Sequence, residues 1–190
     1  MLRKPRITEQ ENPASAALST KPLREILRII NREDQKVAPA IAKVIPQIER
    51  AAEMIVPALA AGGRLVYLGA GTSGRLGVLD AAECAPTFST DQVVGVLAGA
   101  PRSMFHAGES AEDDLSLAIR DLKRIKLTKR DVLLGISASG RTPYTMEGLH
   151  YAHRIGAKTV ALTSNPGAPM NALADVAIVP VTGPEVLTGS

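Results

Sequence analysis

A chain of 190 residues with 45% hydrophobic and 22% charged residues has the composition of one globular core, expected to bury about 70% of its unfolded surface, which excludes a chain disordered throughout. The net charge of +3 arises in residues 1–50, with ten Lys/Arg against six Asp/Glu, while the remainder carries twelve against thirteen. With no Trp, three Tyr and two Phe as stacking surface, no nucleic-acid partner is expected.

Residues 1–20 are polar and read as an extended arm. A short helical pattern follows from Pro22 to Asn31, with Leu23, Ile26, Leu27 and Ile30 on one side. A second apolar stripe runs through Val37, Ile41, Val44, Ile45, Ile48, Ala52, Ile55, Val56 and Leu59, interrupted by Pro46 and Pro57 and ended by Gly62-Gly63. Five short apolar runs then alternate with helical stretches near 74–85, 111–125 and 143–155. The runs are Leu65-Val66-Tyr67-Leu68, Val93-Val94-Gly95-Val96-Leu97, Val132-Leu133-Leu134-Gly135-Ile136, Thr159-Val160-Ala161-Leu162 and Val176-Ala177-Ile178-Val179. Continuously apolar strands separated by helices indicate a parallel sheet covered on both faces. The expected fold is α/β, a doubly wound three-layer α/β/α sandwich with a five-stranded parallel sheet. An N-terminal arm and helices (1–60) precede the α/β domain (61–190). The basic stretch from Lys123 to Arg130 reads as a solvated helix end rather than a phosphate patch.

No apolar run approaches the ~18–20 residues of a membrane-spanning helix, and the start, Met1-Leu2-Arg3-Lys4-Pro5, lacks a signal-peptide core. Cys84 is the single cysteine, so neither an internal disulfide nor a cysteine zinc site is expected. A cytoplasmic protein with no membrane partner fits these features.

Ligands of doubly wound sheets bind beyond the carboxyl ends of the strands, and three of those ends are rich in glycine and hydroxyls. Gly69-Ala70-Gly71-Thr72-Ser73-Gly74 satisfies the dinucleotide pattern G-x-G-x-x-G between a strand and a helix. The acidic residue that should follow the second strand is missing, since that strand ends in Leu97-Ala98-Gly99-Ala100. Thr72 and Ser73 instead add hydroxyls to the amides of a helix start, which suits a compact phosphate monoester. The second loop, Ser137-Ala138-Ser139-Gly140-Arg141-Thr142, offers three hydroxyls around Gly140. Ser139 or Thr142 could equally cap the following helix. Ser137 as a nucleophile fails the G-x-S-x-G pattern. The third loop, Thr163-Ser164-Asn165-Pro166, is turn chemistry by itself. Together the three loops favour a sugar-phosphate cradle built from Gly71, Thr72, Ser73, Gly74, Ser137, Ser139, Gly140, Thr142, Thr163 and Ser164.

Asp80 and Glu83 lie three apart on one helical face. Glu83 falls just before Pro86, where a negative helix end would favour a retained proton and general-acid chemistry. A second acidic group, Glu109-Ser110-Ala111-Glu112-Asp113-Asp114, also reads as a capped helix start. His106, His150 and His153 have no metal-ligand spacing.

The stretch from Gly62 through Gly69-Ala70-Gly71-Thr72-Ser73-Gly74-Arg75-Leu76-Gly77-Val78-Leu79-Asp80-Ala81-Ala82-Glu83-Cys84 closely resembles the signature of N-acetylmuramic acid 6-phosphate etherases, which are built on a sugar isomerase (SIS) domain. The likeness extends to Thr8-Glu9 to Asn12-Pro13, Ile30-Asn31-Arg32-Glu33-Asp34, the loop from Ser137 to Tyr144, Thr163-Ser164-Asn165-Pro166 and Thr182-Gly183-Pro184-Glu185-Val186-Leu187-Thr188-Gly189-Ser190. The resemblance implies an SIS-type fold and a cytoplasmic lyase of cell-wall recycling. Its substrate is a phosphorylated amino sugar, whose D-lactyl ether at C3 is cleaved by elimination and then hydration. It further implies Glu83 as the acid on the departing ether oxygen, Glu109 as the base at C2, no metal or organic cofactor, and a homodimer with active sites near the subunit interface. Gly108 and Ser110 flank Glu109 where the family tends to have Val and Gly. The family also continues beyond the motif at Ser190 into further helices, which implies a fragment. The same domain occurs in a glucokinase-inhibiting sensor of sugar phosphates, the alternative to an enzyme.

Overall fold

The computed structural model describes residues 7–106 and 114–187. Five short strands, β1 (Leu65–Gly69), β2 (Val93–Leu97), β3 (Val132–Ile136), β4 (Lys158–Leu162) and β5 (Val176–Ile178), form one sheet. Every neighbouring pair is parallel, in the order β2-β1-β3-β4-β5. The strands are almost purely aliphatic because helices cover both faces. Val66, Leu68, Leu133 and Ala161 pack with Leu122 of α5 (Leu115–Arg124) and Tyr144, Leu149 and Ala152 of α6 (Pro143–Arg154). The alternate positions Leu65, Val132, Leu134, Val160 and Val176 cluster with Ala51 of α3 (Ile45–Ala60). On this second face lies α4 (Gly71–Phe88), where the missing side chain of Gly77 admits Tyr67 and that of Gly95 admits Val78. The result is the expected three-layer, doubly wound α/β/α sandwich.

The N-terminal part departs from its sequence reading in two places. Residues 7–20 are not extended but form three 3-10 turns, Ile7–Glu9, Pro13–Ser15 and Leu18–Thr20. They fold back because the buried Asn12 donates from Nδ2 to Glu33 Oε2 (3.0 Å) and to the Pro184 carbonyl (3.0 Å). Lys36 and then Asn12 hold the Glu33 carboxyl below the usual range. After α1 (Leu23–Asp34), the stripe over 37–59 splits into α2 (Val37–Ala42) and α3. A proline inside a helix clashes with the carbonyl four residues earlier, which for Pro46 is Ala42, the last residue of α2. Pro57 lies inside α3, in its final turn, and Gly62, with φ +76°, follows the helix.

The helix expected over 111–125 is seen from Leu115, capped by Asp114, which accepts from the Ser116 and Leu117 amides. The cap expected at Ser110 lies outside the described residues. Lys123 and Arg124 occupy the last turn of α5, as a helix end requires. On the same helix, Asp121 accepts a hydrogen bond from the fully buried Tyr144 hydroxyl (2.9 Å) and an ion pair from Arg124 (3.3 Å). Burial first, and then the Asp121 charge, push the Tyr144 phenol well above its ordinary range. Tyr144→Phe is expected to lower stability by about 2 kcal/mol, as for a hydrogen bond to a buried charge. Urea unfolding of the two proteins measures it.

Candidate functional site

Strand order reverses between β1 and β3, the switch point at which doubly wound sheets bind ligands. Gly69 of β1 is in register with Ile136 of β3, so the two following loops start side by side. The first loop turns at once into α4. Ala70 is the N-cap residue and supplies no side-chain cap. Gly71 adopts φ +54°, which admits the tight turn. A Cβ on Gly74 would stand 2.4 Å from the Gly69 carbonyl oxygen, so strand and helix meet backbone to backbone. The three glycines are thus explained by the turn and the close approach. Thr72 is exposed and Ser73 half-buried in the first turn, where helix amides and the dipole favour an anion.

Gly74→Ala must push α4 off β1, because the atom it meets belongs to backbone and cannot rotate away. Overpacking of this kind costs about 1–3 kcal/mol, offset in part by the ~1 kcal/mol helix preference of alanine over glycine. The expected net is a Tm lowered by a few degrees, read in a thermal melt. Gly167→Ala, with nothing within 4 Å of the added carbon, is the neutral control.

In the second loop the hydroxyls converge. Ser137, 3% exposed, has Oγ at 3.3 Å from Ser139 Oγ and 3.0 Å from Thr142 Oγ1, and accepts from the Gly140 amide at 3.1 Å. Thr142 occupies the N-cap position of α6 without a side-chain cap, its hydroxyl being engaged by Ser137. Ser139 accepts from the Arg141 amide (3.3 Å). Of the two capping readings, Thr142's is therefore not realised, and Ser139's is a local turn bond. Gly140, at φ +63°, lies under Ala168 and Thr163 with no room for a Cβ. Two helix starts without side-chain caps thus flank one cluster of three hydroxyls.

The third loop behaves differently. Thr163 is 1% exposed and donates to Asn171 Oδ1 at 2.8 Å, so in this structure its hydroxyl braces the loop from inside. Ser164 is half-buried, and its amide donates to the Ala138 carbonyl (3.0 Å). Asn165 and Arg75 were not singled out from sequence, although both stand in quoted motifs. Asn165 Nδ2 donates to the Ala138 carbonyl (2.8 Å) and to Thr8 Oγ1 (3.0 Å). Arg75 donates from Nε to the Ser103 carbonyl (2.8 Å) and from Nη2 to the His106 carbonyl (3.3 Å).

Asp80 and Glu83 lie further along α4 from this cradle. Helix α4 continues through Pro86 to Phe88, so Glu83 is not in its last turn, and its side chain is exposed. The expected placement at a negative helix end is overturned, since the helix does not stop at Pro86. Twelve residues of helix separate Gly71 from Glu83, about 18 Å at 1.5 Å per residue. Asp80 lies against Tyr67, whose phenol is pushed above its ordinary range by burial first and then by hydrogen bonding to that carboxylate. Glu109 lies outside the described residues. Among the described residues no three His, Cys, Asp or Glu gather as a metal site, and no helix is long and apolar enough to cross a membrane.

A parallel sheet in this order, with helix starts and hydroxyls at its switch point, defines a doubly wound α/β domain. Solved structures share the fold. The phosphoheptose isomerase from Neisseria gonorrhoeae superposes with a TM-score of 0.61 at 20% identity, covering 83% of this chain and 85% of that one. A phosphoheptose isomerase from Francisella tularensis gives 0.64 at 19% identity, covering 85% and 86%. Residues 47–153 match the family model of the glucokinase regulatory protein N-terminal SIS domain, and the chain belongs to that family. It is also 55% identical over 186 residues to an N-acetylmuramic acid 6-phosphate etherase of Edwardsiella ictaluri, and 52% identical over 186 residues to N-acetylmuramic acid 6-phosphate etherase 1 of Vibrio cholerae. In both cases the match covers 97% of this chain and 62% of the relative, so the chain spans somewhat under two thirds of their length.

Proposed function

We propose that the chain is the sugar-phosphate-binding part of an etherase. It cleaves the D-lactyl ether of N-acetylmuramic acid 6-phosphate to N-acetylglucosamine 6-phosphate and D-lactate in the cytoplasm. The observation that carries this reading is the Ser137, Ser139 and Thr142 cluster between two helix starts, in a chain so similar to etherases. The C6 phosphate lies on those hydroxyls and on the first turn of α4, with Thr72, Ser73 and the α4 amides as further donors. The open-chain aldehyde at C1 acidifies C2. Glu109 removes the C2 proton, the C3–O bond breaks, and Glu83 protonates the departing lactate oxygen. Water then adds at C3 of the resulting 2,3-enal.

Glu83 is too far down α4 to reach, in its own chain, a sugar whose phosphate sits at the start of that helix. The exposed Leu76 and Leu79 share its stripe at helical spacing. Both features support a homodimer in which α4 of one copy faces the cradle of the other. A second reading, a sensor that binds a sugar phosphate without turning it over, is favoured by the family model, whose namesake is a regulatory protein. D-lactate release from N-acetylmuramic acid 6-phosphate separates the two. Release by this chain supports the etherase, whereas tight sugar-phosphate binding without release by the whole gene product supports the sensor.

A further inference from the structure

We propose that Thr8 and Asn165 are positioning residues through which the N-terminal arm holds the hydroxyl loop in its phosphate-binding shape; this rests on the sugar-phosphate reading above. Asn165 is 6% exposed, and both protons of its side-chain amide are used. One goes to Thr8 Oγ1 (3.0 Å) and the other to the carbonyl of Ala138 (2.8 Å), the residue between Ser137 and Ser139. The same carbonyl accepts from the Ser164 amide (3.0 Å). From the other side, Asn171 Nδ2 donates to the Asn165 carbonyl (3.0 Å) while its Oδ1 accepts from Thr163 (2.8 Å). Asn165 is therefore a fixed bridge between arm and cradle.

The arm can bear on that bridge because it is itself anchored. Four residues beyond Thr8, Asn12 is 5% exposed and bonded to Glu33, to the Pro184 carbonyl and to the Ala14 amide. Thr8 lies within the 3-10 turn Ile7–Glu9, which limits its own freedom. Removing the Thr8 hydroxyl leaves a buried N–H of Asn165 without its acceptor, a state that reorientation of the side-chain amide relieves. Reorientation withdraws the second proton from Ala138, which leaves the Ser164 amide as the remaining hold on the residue between Ser137 and Ser139. Polar groups that must meet a phosphate simultaneously tolerate little displacement.

The test is calorimetric titration of the chain with N-acetylglucosamine 6-phosphate, alongside thermal melts. Thr8→Val, which keeps the shape of threonine and removes the hydroxyl, is expected to weaken binding about tenfold with a nearly unchanged melt. Thr8→Ser restores it, and Asn165→Ala weakens it at least as much as Thr8→Val. Should Asn165→Ala melt too low to assay, the Thr8 pair decides alone. Wild-type affinity in Thr8→Val overturns the positioning role and leaves the sugar-phosphate reading standing. Equal weakening in Thr8→Val and Thr8→Ser also overturns it, because the hydroxyl is then not what matters. A wild-type chain that does not bind the sugar phosphate overturns both.

Discussion

Glu83→Gln is expected to reduce D-lactate release by 10²–10⁴-fold, the usual contribution of a general acid, while leaving affinity for N-acetylglucosamine 6-phosphate within about twofold. The separation follows from where the groups lie. The proposed phosphate contacts are on the loops beyond β1 and β3, whereas Glu83 is exposed on α4 some three turns away. The substitution is nearly isosteric and the side chain is exposed within its own subunit, so folding of the subunit should be unaffected. Steady-state kinetics and a binding titration on the same preparation measure both quantities. A variant that keeps near-normal turnover removes Glu83 from the mechanism. Placement along the helix adds a sharper test. Glu83→Gln subunits mixed with subunits disabled at Ser137 should recover activity if Glu83 serves the partner's cradle, since each mixed dimer then holds one intact site. No recovery from verified mixed dimers would assign Glu83 to its own subunit and break the dimer argument.

How much of this arrangement was readable in the sequence depends on the range of the interactions involved. The five strands were legible because each is an uninterrupted aliphatic run, and that texture arises only where both faces of a sheet are covered. Helix ends were less so. Residues 71–73 look like loop in a G-x-G-x-x-G segment, yet α4 starts at Gly71 because its positive φ turns the chain directly into the helix. Pro86 reads as a stop, yet α4 runs two residues past it to Phe88, and nothing local in the sequence signals that continuation.

The site divided along the same line. Ser137 and Thr163 are chemically similar hydroxyls at equivalent strand ends, and nothing local tells them apart. Ser137 joins two other hydroxyls, while Thr163 is claimed by Asn171, eight residues further on. The bridge from Asn165 to Thr8 spans 157 positions, a separation at which no periodicity or turn rule operates. Long-range polar contacts of this kind depend on the assembled sheet, which brings the arm and the β4 loop together.

Asp131→Asn is expected to cost about 3 kcal/mol at pH 7, within the range for breaking a buried ion pair from one side, and to lower Tm by roughly 6–12 °C for a chain of this size. Asp131 is 3% exposed immediately before β3, at the end of the central strand opposite the cradle. Its carboxylate accepts from the Arg64 amide (2.9 Å), Arg64 Nε (3.2 Å) and Nη2 (2.9 Å), the Thr128 amide (2.8 Å) and the Thr128 hydroxyl (3.2 Å). The Arg64 guanidinium in turn donates to the carbonyls of Ile125 (3.0 Å) and Lys126 (3.1 Å), tying the end of α5 to β1 and β3. An asparagine must point its NH₂ at some of these donors, which breaks the set. Burial pushes the Asp131 carboxyl up, but hydrogen bonds from Arg64 and Thr128 and the Arg64 charge outweigh it, so it lies below the usual range. A carboxyl depressed in the folded state contributes stability above its unfolded value, near 3.9, and loses that contribution as pH falls through the folded value. The gap between wild type and Asp131→Asn should therefore be full at pH 7 and shrink below about pH 4. Urea unfolding midpoints at pH 7 and pH 3 measure it, and a gap of equal size at both would show that lost packing, and not the charge, is responsible.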